Sequence, residues 1–118
     1  MNNDQTNERF EREINLIGED AFNALANSRV AVFGLGGVGS YTAEALARGG
    51  VGHLELIDGD VVSVTNINRQ LCALTSTVGK PKALVVAERA RDINPDADIL
   101  PRVEFFLPET EKNFDFTK

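Results

Sequence analysis

A glycine-rich stretch between an apolar run and a helical pattern constrains the fold more than any other part of the sequence. Residues 30–46 read VAVFGLGGVGSYTAEAL and hold four glycines, Gly34, Gly36, Gly37 and Gly39. The first, second and fourth match G-x-G-x-x-G, which joins a buried strand to a helix and turns backbone N–H groups towards phosphate. The stretch therefore predicts a strand, a glycine turn and a helix that hold an anion. It does not separate a dinucleotide that carries hydride from a nucleoside triphosphate that is cleaved.

The composition is that of one soluble globular domain. The chain has 118 residues, of which 42% are hydrophobic and 25% are charged, enough for one core but hardly for two. No apolar stretch approaches the ~20 residues of a membrane span, and the polar start lacks a signal peptide. We therefore expect a cytoplasmic location. The formal net charge of −6 argues against a broad nucleic-acid groove.

Apolar periodicity and turn residues predict an order of elements typical of parallel α/β sheets. Residues 1–8 are expected to be frayed, and 10–26 to form short helices around a break at Gly18. The further predictions are strands at 29–34, 53–58 and, interrupted by Pro101, 97–106, helices at 38–48, 81–93 and 108–114, and a short helix or turn at 66–74. This order predicts a Rossmann-like, doubly wound, mostly parallel sheet. Because three strands are few for such a sheet, residues 9–118 are predicted to be the N-terminal portion of a longer domain.

A second group of polar residues follows the second predicted strand. Asp58 ends that strand 19 residues after Gly39, where a carboxylate that accepts a ribose hydroxyl is expected. Asn66 and Arg69 are three residues apart, so on a helical turn they project from one face. An enzyme that breaks the bond between the α- and β-phosphates of ATP needs such groups, because charge builds up on the phosphates. The alternative is a solvated, hydrogen-bonded loop.

A lysine in the stretch GKPKA, residues 79–83, is unusual for its position. Lys82 falls in the first turn of a predicted helix, where the helix dipole disfavours a cation. A phosphate between Lys80 and Lys82 would explain both lysines, and the alternative is that both point to water. Together with Asp58 and Arg69, Lys82 provides ribose capture and two fixed cations. This combination predicts a triphosphate site without a P-loop.

Four other residues have simpler interpretations. Cys72 is interpreted as a small packing residue, since a lone cysteine forms neither an internal disulfide nor a cysteine-based zinc site. His53 opens a strand, and we interpret it as solvent-facing or hydrogen-bonded rather than catalytic. Arg9 and Arg12 lie in a polar segment, and composition alone indicates surface charges.

The combined motifs resemble the E1-like adenylating superfamily. This superfamily contains the ubiquitin-activating enzymes and the bacterial activators of molybdopterin and thiamine sulfur carriers, the ThiF, MoeB and HesA types. The motifs are GLGGVGS, the aspartates of DGD, TNINRQ and VGKPK. Finer features, RF followed by LIG, AEALAR, VTNINRQ and AERARDINP, look most like the branch of tRNA threonylcarbamoyladenosine dehydratases. Such enzymes use ATP to adenylate the carboxylate of threonylcarbamoyladenosine in tRNA, and the activated group then cyclises with overall loss of water.

The resemblance implies roles for individual residues, with ATP and Mg²⁺ as cofactors. Gly36 is expected to lie against the phosphates, Asp58 to bind the ribose, and Arg69 and Lys82 to act as catalytic cations. The remaining implied nucleotide contacts are Gly34, Gly37, Gly39, Asp60, Asn66 and Gln70. An arginine that matches Arg12 reaches the nucleotide of the neighbouring subunit in this superfamily, which implies a homodimer.

The resemblance also implies that important parts lie outside these residues. The Mg²⁺-binding aspartate of the family is expected beyond Lys118, so no metal ligand is expected within the chain. The substrate-binding half is expected there as well. The chain alone is therefore expected to be inactive.

Three other functions remain open at this stage. The same chemistry on the C-terminal carboxylate of a ubiquitin-like sulfur carrier would use the same residues, and it would add a sulfur-transfer or carrier protein as partner. An NAD-dependent oxidoreductase, which the glycine turn alone would suggest, predicts binding of NAD(H) and not of ATP. A non-catalytic nucleotide-binding or dimerisation module is the third class, and it requires that the chain be complete at Lys118.

Overall fold

The structure is a computed structural model that describes residues 3–105 and 107. Its helices and strands, in chain order, are α1 Asn3–Ile17, α2 Glu19–Ala26, β1 Arg29–Phe33, α3 Gly37–Arg48, β2 His53–Ile57, α4 Lys82–Ile93 and β3 Asp98–Arg102. Two short 3₁₀ helices, Val64–Asn66 and Thr75–Thr77, lie in the connection between β2 and α4. None of the helices in this part of the chain is long and apolar enough to cross a membrane.

The N-terminal half contains the predicted helices and strands, but some of them begin or end at other residues than the sequence predicts. Gly18 separates α1 from α2 with a φ of +89°, a left-handed conformation that favours glycine. The first helix begins at Asn3, inside the segment for which the sequence predicts fraying. Both helices precede β1, and the ring of Phe10 packs on that of Phe22 with centroids 5.1 Å apart. This contact joins α1 to α2.

The C-terminal half departs further from the sequence-based prediction. The sequence predicts a short helix or a turn at 66–74, and these residues contain the end of a 3₁₀ helix followed by turns. The strand β3 ends at Arg102 instead of residue 106, and Pro101 lies within it. Proline is tolerated there because β3 is an outer strand of the described sheet. The helix predicted at 108–114 lies outside the described residues.

The strands form one parallel sheet in the order β1-β2-β3, which confirms the predicted α/β class. Phe33, Ile57 and Arg102 lie in one row at the carboxyl ends of the strands. The N–H of Gly34 extends this pairing and donates to the carbonyl oxygen of Ile57 at 2.8 Å. The segments that follow β1 and β2 therefore start side by side at one edge of the sheet.

One face of the sheet is covered by α3 and α4. Strands and helices contribute to a single buried cluster that includes Val32, Leu54, Leu56, Ile99, Ala43, Ala47, Ala83, Ala87 and Ala90. The alanines let the helix backbones lie close to the sheet and to each other. Glu44 of α3 and Arg89 of α4 add an ion pair between the helices, with Nη2 and Oε1 2.7 Å apart. Packing of this kind fixes the start of each helix relative to the strand ends.

Candidate functional site

The glycine turn between β1 and α3 has the geometry that its sequence predicts. Gly34 follows β1 with a φ of +84°, in the left-handed region. A Cβ at Gly39 would lie 1.7 Å from the carbonyl oxygen of Gly34, so only glycine allows α3 to pack this closely on the end of β1. These two glycines therefore shape the turn, whatever binds there.

Gly36 and Gly37 leave space at the start of α3. A Cβ at Gly36 would meet the Nε2 atom of Gln70 at 3.5 Å, an ordinary contact, and a Cβ at Gly37 would meet nothing within 4 Å. The first N–H groups of a helix have no partner within the helix, and they favour an anion. The open space beside these donors agrees with a phosphate contact at Gly36, which stays a prediction.

Asp58 joins the glycine turn to the segment that follows β2. Its Oδ2 accepts the N–H of Leu35 at 2.7 Å, and its Oδ1 accepts the N–H of Asp60 at 2.7 Å. The residue is only 8% exposed. The sequence predicts a ribose acceptor here but not these two bonds. Since a carboxylate oxygen has more than one lone pair, the bonds leave room for a ribose hydroxyl as well.

Asn66 and Gln70 are both buried, and Gln70 lies beside the glycine turn. The Oδ1 of Asn66 accepts the N–H of Ser63 at 2.9 Å and so caps its own 3₁₀ helix. Its carbonyl oxygen accepts the N–H of Gln70 at 2.9 Å. Because the side-chain amide of Gln70 then lies against Gly36, Asn66 has a structural role in placing Gln70.

Arg69 lies on the same connection, but its side chain is exposed. Its Nη1 donates to the carbonyl oxygen of Thr65 at 2.9 Å and to the Oδ1 of Asn68 at 3.0 Å. The guanidinium is therefore held against its own loop, and Asn66 beside it is buried. A contact between Arg69 and a nucleotide stays a prediction that requires rotation of this side chain.

Lys82 is buried at the first position of α4, with 7% of the residue exposed. The side chain of Lys82 is therefore largely covered by the fold, whereas Lys80 is exposed. The backbone N–H of Lys82 donates to the carbonyl oxygen of Asp60 at 3.0 Å, which ties α4 to the segment after β2. Within residues 3–105 and 107, the Lys82 ammonium has neither a hydrogen bond nor an ion pair. A lysine that is largely buried and whose ammonium has no partner among the described residues favours an anionic ligand.

Cys72 contacts the glycine turn from the side of Lys82. Burial raises the pKa of its thiol, and the positive charge of Lys82 opposes this rise. The thiol is 1% exposed, which confirms a buried packing residue, and its Sγ donates to the carbonyl oxygen of Leu35 at 3.6 Å. No pattern in the sequence indicates this contact.

Arg12 and His53 lie away from the glycine turn of their own chain. Glu13, the neighbour of Arg12 on α1, lies beside the Gly49–Gly50 turn at the far end of α3. A Cβ at Gly50 would be 3.4 Å from the Oε2 of Glu13. The twelve residues of α3 separate this turn from the glycine turn by about 18 Å. The reach of Arg12 to a neighbouring subunit stays a prediction. His53 opens β2, and its Nδ1 is 3.6 Å from the Oδ2 of Asp98.

An open cleft of about 350 Å³ lies beside the glycine turn, at the carboxyl ends of β1 and β2. Its lining residues are Phe33, Gly34, Ile57, Asp58, Asp60, Glu104, Phe105 and Leu107. The volume falls within the roughly 300–1,000 Å³ of small-molecule pockets, and apolar walls with a few polar groups are typical of them. The sequence does not predict Phe105 as a residue of this site, and its ring packs on Gly59. In the part of the chain that the structure describes, no group of three His, Cys, Asp or Glu side chains could hold a metal.

The structure combines a parallel sheet, a glycine turn that leads into a helix, and a carboxylate at the end of the next strand. These features define a Rossmann-like domain. The chain belongs to the ThiF family, whose model matches residues 10–118. The resemblance inferred from the motifs is thus confirmed.

Curated relatives refine this placement. A tRNA threonylcarbamoyladenosine dehydratase from Bacillus subtilis is 50% identical over 106 residues, which cover 90% of this chain and 42% of that protein. The one from Escherichia coli is 47% identical over 106 residues, covering 90% of this chain and 40% of the relative. A molybdopterin-synthase adenylyltransferase from Escherichia coli is 42% identical over 110 residues, covering 92% and 44%. The chain therefore spans less than half the length of these relatives.

Solved structures agree with the sequence comparison. The crystal structure of the Escherichia coli tRNA N6-threonylcarbamoyladenosine dehydratase TcdA matches with a TM-score of 0.90 and 45% identity, covering 93% of this chain and 46% of that one. The same enzyme in complex with ATP matches with a TM-score of 0.87 and 46% identity, covering 91% and 44%. The fold described above is thus also that of an enzyme solved with ATP.

Proposed function

We propose that the chain forms the ATP-binding part of an enzyme that adenylates the carboxylate of threonylcarbamoyladenosine in tRNA, which leads to the cyclic dehydrated base. One observation carries the proposal. The carboxylate of Asp58 accepts the N–H groups of Leu35 and Asp60, which joins the glycine turn to the end of β2 beside an open cleft. The fold is shared with a dehydratase that was solved with ATP.

The site offers a place for each part of ATP. The start of α3 provides N–H donors for phosphate oxygens, and Asp58 at the end of β2 provides an acceptor for the ribose. The cleft beyond Asp58 has the aromatic walls Phe33 and Phe105, which suit a base. Gln70 against Gly36 adds an amide next to the phosphates.

Adenylation requires attack of a carboxylate oxygen on the α-phosphate and departure of pyrophosphate. No protein nucleophile takes part in this step. Lys82 offers a positive charge on a largely buried side chain near Cys72, which contacts the turn, and Arg69 would supply a second one after rotating away from Thr65. Positive charges placed before the reaction stabilise the charge that develops on the phosphates.

Mg²⁺ and a second subunit belong to the same proposal. Mg²⁺ neutralises charge on a bound triphosphate, and the family resemblance implies an aspartate that holds it, beyond Lys118. Arg12 is exposed on α1, away from the glycine turn of its own chain, so a contact with the nucleotide would come from a homodimer partner.

A chimera tests the proposal without depending on the length of this chain. The matching 106 residues of the Bacillus subtilis relative are replaced by the corresponding part of this chain, and pyrophosphate release is measured with and without tRNA that carries threonylcarbamoyladenosine. We expect release that depends on both ATP and this tRNA. A folded chimera that binds no ATP would contradict the proposal.

Arg69→Ala in the chimera tests the assigned cation. Because Arg69 is exposed and bonds only within its own loop among the described residues, we expect the melting temperature to stay within about 2 °C. The rate of pyrophosphate release should fall by about 100-fold, as when a group that stabilises developing charge is removed. Arg29→Ala, at the exposed start of β1 and therefore at the opposite end of the strand from the glycine turn, is the matched control and should retain the rate. Unchanged release in Arg69→Ala would remove Arg69 from the mechanism.

Adenylation of a sulfur-carrier protein is the second candidate. The 42% identity to a molybdopterin-synthase adenylyltransferase favours it over other classes, although the identity to the Bacillus subtilis dehydratase is higher. The same chimera, offered a small protein that ends in Gly-Gly instead of tRNA, separates the two acceptors. Calorimetry with ATP and NAD in parallel tests the oxidoreductase alternative.

A further inference from the structure

The backbone of Leu35, in the middle of the glycine turn, is held from two sides. Its N–H donates to the Oδ2 of Asp58 at 2.7 Å, and its carbonyl oxygen accepts the Sγ–H of Cys72 at 3.6 Å. The side chain of Leu35 is completely buried. Two segments that follow β2 thus fix a single residue of the turn.

This support matters because Leu35 lies between Gly34 and Gly36, whose backbones have the widest conformational freedom. A hydrogen bond to an ionised carboxylate at 2.7 Å is stronger than one between neutral groups. Asp58 is itself fixed, because its other oxygen accepts the N–H of Asp60 at 2.7 Å. The bonds therefore set the direction of the N–H groups at the start of α3 before any ligand arrives.

We propose that Asp58 is a positioning residue for the phosphate-binding turn, in addition to any contact with a ribose, and that Cys72 is a weaker second support. The inference rests on the proposed function, in which this turn binds a triphosphate. If Asp58 only bound the ribose, its loss would not affect a triphosphate that carries no ribose hydroxyls. If Asp58 also positions the turn, loss of its carboxylate weakens the binding of such a triphosphate.

The test compares ATP with 2′,3′-dideoxy-ATP on the 118-residue chain by titration calorimetry. In Asp58→Asn, one of the two oxygens becomes an NH₂ group that cannot accept an N–H. We expect the affinity for dideoxy-ATP to fall by about tenfold, as for the loss of a hydrogen bond to a charged group. Equal affinity of Asp58→Asn and the unaltered chain for dideoxy-ATP would overturn the inference. Asp92→Asn, which removes an exposed carboxylate on α4, is the matched control and should leave both affinities unchanged.

A second measurement separates this inference from the proposed function. Hydrogen exchange of the Leu35 amide, followed without nucleotide, should become at least about tenfold faster in Asp58→Asn. If the unaltered chain binds neither nucleotide, the proposed function fails for this chain, while the exchange rate still decides whether Asp58 fixes the turn. An unchanged exchange rate at Leu35 would refute the positioning role.

Cys72→Ala provides a further test if Asp58→Asn does not fold. It removes the thiol, whose Sγ lies 3.6 Å from the Leu35 carbonyl oxygen and 4.0 Å from the Oε1 of Gln70, without altering a charge. The expected result is a loss of affinity of about threefold for dideoxy-ATP, with adenosine binding unchanged. An equal loss for both ligands would show that the thiol only fills space, and it would count against its role in the turn.

Discussion

Gly39→Ala is expected to disrupt the junction between β1 and α3. A Cβ at Gly39 would lie 1.7 Å from the carbonyl oxygen of Gly34 and 2.8 Å from its carbonyl carbon. Both are backbone atoms, and the N–H of Gly34 is bonded to the carbonyl oxygen of Ile57 at 2.8 Å. Neither side of the contact can give way by rotating a side chain, so the helix must move away from the sheet.

The size of the effect follows from this displacement. To reach 3.0 Å, below which real Cβ atoms essentially never approach another atom, α3 must retreat by roughly 1.3 Å from a close-packed core. Overpacking of a core lowers the free energy of unfolding by about 1–3 kcal/mol or more, while alanine in a helix adds back up to about 1 kcal/mol. We expect a net loss of about 1–2 kcal/mol, which lowers the melting temperature by roughly 4–12 °C in a domain of this size.

Thermal unfolding followed by circular dichroism measures this loss, and Gly37→Ala is the matched control. Gly37 is the first residue of the same helix, and a Cβ there would meet nothing within 4 Å. Alanine at this position should leave the melting temperature unchanged or raise it by a few degrees. A Gly39→Ala chain that melts within about 2 °C of the unaltered chain would refute the packing argument.

Two further predictions concern ionisable side chains that the fold partly or largely covers. Burial raises the pKa of the Glu13 carboxyl, so the folded state holds this proton more tightly than the unfolded state, and stability is lost as the pH rises from about 4 through the raised value. Glu13→Gln should therefore have a higher melting temperature than the unaltered chain at pH 7 and a smaller gain at pH 4. Glu11→Gln, at an exposed position of α1, is the control and should show no such difference. An equal gain at both pH values in Glu13→Gln would contradict the direction of the pKa shift. Lys82→Met keeps the length of a side chain that is only 7% exposed and removes its charge, so we expect the chain to stay folded while ATP affinity falls by at least about tenfold. Unchanged ATP binding in Lys82→Met would show that the charge does not serve the ligand.

The sequence predicted the parts of the site that depend on local chemistry. The roles of Gly34 and Gly39 follow from the turn itself, because a left-handed φ and a close backbone approach each demand glycine. Lys82 was recognisable as unusual because a cation is unfavourable at the start of a helix. Its burial supports that interpretation, and the family resemblance extended it to ATP.

Contacts between distant segments could not be predicted in this way. Leu35 and Asp58 are 23 residues apart, and Leu35 and Cys72 are 37 residues apart. Nothing in the pattern around Asp58 shows that both of its oxygens accept backbone N–H groups, since those bonds depend on how β1 and β2 pair. The exposed position of Arg69 is equally a product of the turns at 67–69, which apolar periodicity does not describe.

The bond between Leu35 and Asp58 also links ligand binding to the folding of the whole domain. Its two ends meet only when β1 and β2 have paired and α3 has packed on them. The unfolded chain therefore contains no partial version of the site, so a ligand that binds there binds the folded state alone. Such a ligand, at 100 times its dissociation constant, adds about 2.7 kcal/mol to the free energy of unfolding. The measured stability of this chain should accordingly vary with the nucleotide concentration in which it is kept.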